Sequence, residues 1–318
     1  MTGRPSPLPR RFASGFRRLA ATLLAALLAL IGLSQPMSAQ ARPARPAAAR
    51  TAPVRPALWK VSDKDTTIWL FGTIHALPKG LEWYKGPVAA AFEQSDALVT
   101  EIIEKSPEEM RPIVLAKAML PEGQTLRGML APADRAAFEK ALAGNALPVA
   151  AFDRYQPWYA AVALATLPLL SSGYDPANGV DAQLSDRALA AKRGREALET
   201  PEFQLGLFGS LPLDTQKKYL REVVDNLPKL KGELNRIIAA WKAGDAARLA
   251  RLMNEDEDDP VLEQRLLIDR NRDWAQWIKA RMDKPGRVFI AVGAGHLAGA
   301  GSVQDQLARL GLRATRVQ

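Results

Sequence analysis

The 318-residue chain carries two histidines, and both close a Gly-x-x-His that follows an apolar, β-prone run. Thr67-Ile68-Trp69-Leu70-Phe71 precedes Gly72-Thr73-Ile74-His75, and Arg287-Val288-Phe289-Ile290-Ala291-Val292 precedes Gly293-Ala294-Gly295-His296. Imidazole is the commonest metal-ligating side chain and the one that titrates near neutrality. A glycine at a strand end lets backbone or ligand approach closely. Open α/β folds place ligands at the carboxyl ends of their strands. The matched contexts therefore point to one shared site, although either histidine taken alone also reads as a turn residue.

Glu101 is the third candidate. It ends the apolar run Ala97-Leu98-Val99-Thr100 much as His75 ends its own. A carboxylate beside two imidazoles suits a divalent ion with positions left open to water, or it serves as a general base. Arg270 and Asn271 add polar groups to an apolar helical stripe, Leu267, Asn271, Trp274 and Ile278. Buried polar groups need partners. A guanidinium there binds a carboxylate of substrate or of the protein in bidentate fashion. Tyr174, Asp175 and Asp181 are weaker candidates, because Asp175-Pro176 is a common turn former. The run Glu255-Asp256-Glu257-Asp258-Asp259 reads as a solvated charge cluster without the glycine and final glutamate of an EF-hand loop.

Other chemistries are disfavoured. The chain has no cysteine, which removes disulfides and thiolate ligands. It has no Gly-x-Ser-x-Gly elbow and no P-loop, and Gly293-Ala294-Gly295 lacks the third glycine of a dinucleotide fingerprint. The net charge of +9 resides in the N-terminal region: nine arginines and no acid precede Leu58, and the remainder is balanced. Nucleic acid is therefore not an expected partner.

The elements that must position these residues follow from periodicity. Residues 58–61 and 67–71 around a polar turn predict a hairpin. Short strands are expected at 97–102, 195–199 and 312–317, and the strongest buried strand at 287–292. Helices are expected at 86–95, through most of 107–170, and at 180–192, 201–209, 213–227, 231–243, 260–282 and 302–310. The expected fold is α/β: a mixed sheet built from N- and C-terminal strands, with a large helical insertion between them.

Arg10, Arg11, Arg17 and Arg18, the apolar run from Leu19 to Leu33, and Ala39-Gln40-Ala41 predict a signal peptide over 1–41, cleaved after Ala41. The rival reading is an uncleaved anchor. With the signal peptide cleaved, membrane contact is expected to be transient, and the location periplasmic or secreted. Residues 42–57, rich in Ala, Pro and Arg, read as a linker, and 58–318 as one α/β domain.

The segments Leu58-Trp59-Lys60-Val61, Leu70-Phe71-Gly72-Thr73-Ile74-His75 and Leu77-Pro78 resemble the opening motif of the TraB/GumN family, whose relatives include the Tiki proteases. Gly173-Tyr174-Asp175-Pro176, Gly179-Val180-Asp181, Leu198-Glu199-Thr200, Asp269-Arg270-Asn271-Arg272 and Val292-Gly293-Ala294-Gly295-His296-Leu297 extend the resemblance over nearly all of 57–318. It implies a metal-dependent hydrolase fold and, for the Tiki relatives, peptide-bond hydrolysis supported by Mn²⁺ or Co²⁺. Carried over, the metal ligands are His75, Glu101 and His296, and Arg270 and Asn271 join Glu101 in the catalytic apparatus. One departure stands out. Family members often have Leu-Glu-Ile-Asp at the strand end, where this chain has Thr100-Glu101-Ile102-Ile103, so the second acid is missing.

Two imidazoles and a carboxylate accept Mn²⁺, Fe²⁺, Co²⁺ or Zn²⁺, and ligand type alone does not choose. The sequence thus leads to an exported, metal-dependent hydrolase acting on a peptide or small-molecule substrate. Two alternatives stay open. One is a non-catalytic periplasmic protein that binds metal, haem or peptide; the other is a structural accessory of export or polysaccharide assembly.

Overall fold

The computed structural model describes residues 53–253 and 259–318. The expected signal peptide, most of the expected linker and residues 255–258 of the acidic run lie outside them. Residues 53–57, the end of that linker stretch, are packed. Val54 and Ala57 are buried, the Arg55 N–H donates to the Lys242 carbonyl at 2.7 Å, and Gln318 Nε2 donates to the Pro56 carbonyl at 2.8 Å. Proline fixes φ but does not stop an extended segment from lying on a fold.

The strands are β1 (Leu58–Ser62), β2 (Thr66–Thr73), β3 (Leu77–Pro78), β4 (Ala97–Thr100), β5 (Tyr174–Asp175), β6 (Gly194–Ala197), β7 (Gly286–Gly293) and β8 (Thr315–Arg316). Six of them form one mixed sheet in the order β6-β4-β7-β2-β1-β8, and β3 pairs with β5 separately. The N-terminal hairpin is antiparallel, with Leu58 opposite Phe71. Asp63 closes its turn by accepting from the backbone N–H groups of Asp65 at 3.1 Å and Thr66 at 2.8 Å. β2 and β7 pair in parallel from Thr66↔Gly286 to Thr73↔Gly293, and β4 runs parallel to β7 on its other side. These central strands are covered on both faces, which is why they read as continuous apolar runs rather than alternating ones.

The helices are α1 (Gly86–Glu93), α2 (Pro107–Ala118), α3 (Leu126–Met129), α4 (Pro132–Gly144), α5 (Pro157–Ser171), α6 (Val180–Ala190), α7 (Pro201–Gly209), α8 (Leu213–Asn226), α9 (Leu230–Lys242), α10 (Ala246–Met253), α11 (Pro260–Glu263), α12 (Asp269–Met282) and α13 (Val303–Arg309). Phe71, Trp83, Trp241 and Phe289 anchor one core. Ile68, Val99, Trp274, Ile278 and Ile290 anchor the core on the other face of the sheet. Phe138, Trp158, Phe208 and Tyr219 belong to a third, inside the helical insertion. The α/β architecture with a sheet joining the two ends of the domain is as expected.

Two elements differ from their expected form. The last strand shrinks to Thr315–Arg316. The long helix expected over 260–282 is interrupted by a π-helical turn, Gln264–Ile268, immediately before α12. Such turns shift the side-chain register, and they recur at functional sites. Here the shift precedes Arg270 and Asn271. Among the described residues no helix is long and apolar enough to cross a membrane.

Candidate active site at the carboxyl edge of the sheet

The parallel register sets Thr73 beside Gly293, so the two Gly-x-x-His segments leave the sheet side by side. Both motif glycines are dictated by contact. A Cβ on Gly72 would lie 3.0 Å from the Ala294 Cα. A Cβ on Gly293 would lie 3.2 Å from Glu101 Oε1, 3.4 Å from His75 Nε2 and 3.6 Å from His296 Cδ2. The structure therefore brings His75, Glu101 and His296 around the bare Cα of Gly293.

His75 is buried, and its Nδ1 lies 2.6 Å from Asp181 Oδ2. Asp181 sits in the first turn of α6. An ionised carboxylate only accepts, so Nδ1 carries the proton and Nε2 is presented toward Glu101 and Gly293. Glu104 follows Glu101 by three residues. Although Glu104 as a residue is solvent-exposed, burial of its carboxyl and the neighbouring Asp181 charge push it above the usual carboxylate range.

A different network fixes the other half. Arg270, at 1% exposure, donates from Nη2 to Glu101 Oε2 at 2.6 Å and to Glu199 Oε2 at 2.9 Å, and from Nε to Glu199 Oε1 at 2.8 Å. Its Nη1 donates to His296 Nε2 at 3.0 Å and to the Leu266 carbonyl at 3.2 Å. A guanidinium has five N–H groups, and these five bonds take all of them. Arg270 has no donor left for a substrate oxyanion, so its role is to position Glu101, Glu199 and His296. His296 Nδ1 donates to Asn271 Oδ1 at 2.6 Å, and Asn271 Nδ2 donates to the Gly301 carbonyl at 2.8 Å. Both ring nitrogens of His296 are thereby engaged.

The electrostatics follow from these contacts. Burial alone would raise the Glu101 carboxyl, but Arg270, the two histidines and the Gly293 N–H bring it down to about 2. The Gly293 N–H bond to Glu101 Oε1 is 2.8 Å. Burial, and then the Arg270 charge, push His296 down to about 3, so its imidazole is neutral. Gln204 Nε2 bridges Glu101 Oε2 and Glu199 Oε2, at 2.9 Å to each. Trp274 Nε1 donates to Glu199 Oε1 at 2.9 Å. Glu101 and Glu199 together outweigh Arg270 by one negative charge, and Asp181 adds another beside His75. Unpaired buried charge is costly.

A model of the TraB/PrgY/gumN family matches residues 57–316. The chain is a member of that family. No match to it is found among curated proteins or among solved structures.

The TraB/PrgY/gumN resemblance implied a divalent ion held by His75, Glu101 and His296. Among the described residues no group of three or more His, Asp or Glu stands in an arrangement that could hold a metal. The reason is Arg270, which takes Glu101 Oε2 and His296 Nε2. His296 does not suit the role of ligand in this arrangement. His75 Nε2 and Glu101 Oε1 do, because they converge over Gly293. Each is oriented from behind, by Asp181 and by the Gly293 N–H, as ligands are in metal sites.

Several members of this TraB/PrgY/gumN site were understated or missed in the sequence. Asp181, a weaker candidate from the sequence, pairs with His75 across 106 positions. Glu199 was available by analogy: it follows β6 as Glu101 follows β4, and the Glu199 N–H donates to the Glu101 carbonyl at 2.8 Å. Gln204 and Glu104 gave no signal. Asp175 accepts from the Ala177 N–H at 2.9 Å, which is the turn role expected of it.

Proposed function

We propose that this TraB/PrgY/gumN chain is an exported hydrolase of peptide bonds, with one divalent ion held by His75 Nε2 and Glu101 Oε1. The observation that carries the reading is the convergence of those two atoms on the side-chain-free Gly293, beside a surplus of buried negative charge. Bound there, an ion of the Mn²⁺, Fe²⁺, Co²⁺ or Zn²⁺ type would lower the pKa of a water and supply hydroxide near neutral pH.

The chain's own residues do the rest. Asp181 fixes the His75 tautomer and ring orientation. Arg270 keeps Glu101 ionised and still, through Oε2, so that Oε1 faces the reacting space. Asn271 and Arg270 together lock His296 as a neutral wall. Glu104, with its carboxyl held above the usual range, takes a proton from the attacking water and returns it to the leaving amine. Removal of residues 1–41 on export completes the reading. It is checked by the N-terminus and mass of the mature protein.

Elemental analysis and calorimetry of wild type beside His75→Ala, Glu101→Gln and His296→Ala, paired with cleavage of a peptide library, test the proposal. One ion per chain is expected, lost in the first two variants, with cleavage lost alongside. Wild type that takes up none of the four metals sinks it. The 2.6 Å bond between His75 and Asp181 favours a second reading, in which the pair is a metal-free base. Cleavage that survives chelation but vanishes in Asp181→Asn selects that one. An ion bound without any turnover returns the chain to the binding proteins.

A further inference from the structure

A cleft of about 370 Å³ opens between the loop that follows β3 and the face of α6 that carries Gln183 and Arg187. Trp83, Tyr84, Lys85, Asn178, Gln183 and Arg187 line it. Both walls are tied to the catalytic pair. β3, two residues after His75, pairs with β5 (Leu77 opposite Asp175), and α6 carries Asp181 in its first turn and Arg187 in its last.

The lining carries two exposed cations, Lys85 and Arg187. The Arg187 guanidinium lies 3.8 Å over the Tyr84 ring. It makes no hydrogen bond or ion pair with any described residue. The nearest candidate partner is already committed: Glu93 accepts from the Tyr84 hydroxyl and pairs with Arg193 at 2.7 Å. Trp83 is 1% exposed, and its indole N–H meets no acceptor. That indole is packed against Phe71 and Trp241 and forms the floor of the cleft rather than a donor to it. Lys85 brings a second, exposed cation, and Glu82 is the one carboxylate on the rim. Stacking on an aromatic ring holds a guanidinium flat and leaves its edge as a fork of paired N–H groups. A carboxylate fits that fork with two parallel hydrogen bonds.

We infer that this cleft is a carboxylate subsite, in which Arg187, held flat by Tyr84 and supported by Lys85, receives a free carboxylate of the peptide whose bond is cut at His75. That the ligand is substrate rests on the hydrolase reading; that the cleft binds a carboxylate does not. Arg187 is a specificity residue here, outside the groups that carry the chemistry.

The test uses the full chain labelled with ¹⁵N. Acetyl-alanyl-alanine, its carboxyl-terminal amide and inorganic phosphate are titrated in separate samples, while the Trp83 indole and Arg187 Nε–H resonances are followed. The free acid is expected to shift both resonances saturably and the amide neither. Arg187→Ala should weaken binding of the acid by about tenfold or more, since a hydrogen bond to a charged group contributes on that scale. Arg187→Lys should fall between, at unchanged melting temperature. Equal responses to acid and amide, undiminished binding in Arg187→Ala, or saturation by phosphate below the concentration needed for the acid would each overturn the assignment. The two readings fail separately. Carboxylate binding without turnover of any peptide removes the hydrolase and keeps the subsite, whereas turnover indifferent to a free carboxylate removes the subsite and keeps the hydrolase.

Discussion

His75 and His296 end the same four-residue motif on two strands that lie in register, yet they live in opposite conditions. His75 Nδ1 bonds the Asp181 carboxylate, and its Nε2 lies on the Glu101 side of Gly293. His296 is completely buried, tilted against Trp274 with ring centroids 4.3 Å apart, and bonded at both nitrogens. A shared motif therefore states where a side chain leaves the sheet, while the partners supplied from elsewhere decide what it can do. On the His75 side those partners come from α6; on the His296 side they come from α12, which brings a cation rather than an anion.

The comparison is tested hardest at Arg270. Arg270→Met leaves Glu101 and Glu199 buried without their cation, and breaking such a network costs about 3–5 kcal/mol. Thermal unfolding should show a fall in Tm of roughly 6–15 °C, and a smaller fall than His296→Ala gives would mean that the carboxylates find another partner. Next come the histidines themselves. His296→Ala strands the Asn271 and Arg270 groups and opens a cavity, for an expected loss of about 2–4 kcal/mol. His75→Ala, beside the reacting space, should cost about 1 kcal/mol or less while removing ion binding. Equal losses in the two variants would erase the contrast.

Acid should sharpen the same contrast. His296 titrates near 3 in the fold against an ordinary 6.5, and Glu101 near 2 against 4.5. Both folded values are depressed, so both groups contribute stability that is present above the ordinary values and is lost as pH falls toward the folded ones. Tm should be level above pH about 7 and decline steadily from there toward pH 3. In His296→Gln the decline should begin only near pH 4.5, and an unchanged onset would show that another group drives it. A modest effect on stability is expected of Gly293→Ala, where a methyl must displace Glu101 by a few tenths of an ångström. About 1–2 kcal/mol of overpacking is expected, together with a loss of ion affinity out of proportion to it. Calorimetric binding equal to wild type would mean that the space over Gly293 is not where the ion sits.

Much of this was legible beforehand, for physical reasons that differ by residue. The Gly-x-x-His pair could be read because a strand, a glycine and a histidine are consecutive and local. Glu101 could be read because the strand that presents it is also local. The meaning of Arg270 could not, because the commitment of five N–H groups depends on Glu199, Glu101 and His296, which only the tertiary fold brings within reach. Asp181 is only a weak candidate in the sequence for the same reason: its partner, His75, is distant in the chain. The π-helical turn before Arg270 leaves no mark on an apolar stripe whose spacing remains 4, 3 and 4. The short β8 was over-read because an edge strand of two residues borrows its order from β1.

The pairing of β2 with β7 also sets a schedule. Glu101 meets the Gly293 N–H across 192 positions, and Gly72 receives the Trp241 indole across 169. Contacts of such separation form late, after the local helices. A nascent chain synthesised only as far as α12 has neither the Gly293 amide nor the second motif, and β2 is left as an open edge. Whatever chemistry the proposed site carries would therefore be withheld by folding order until β7 has docked between β2 and β4.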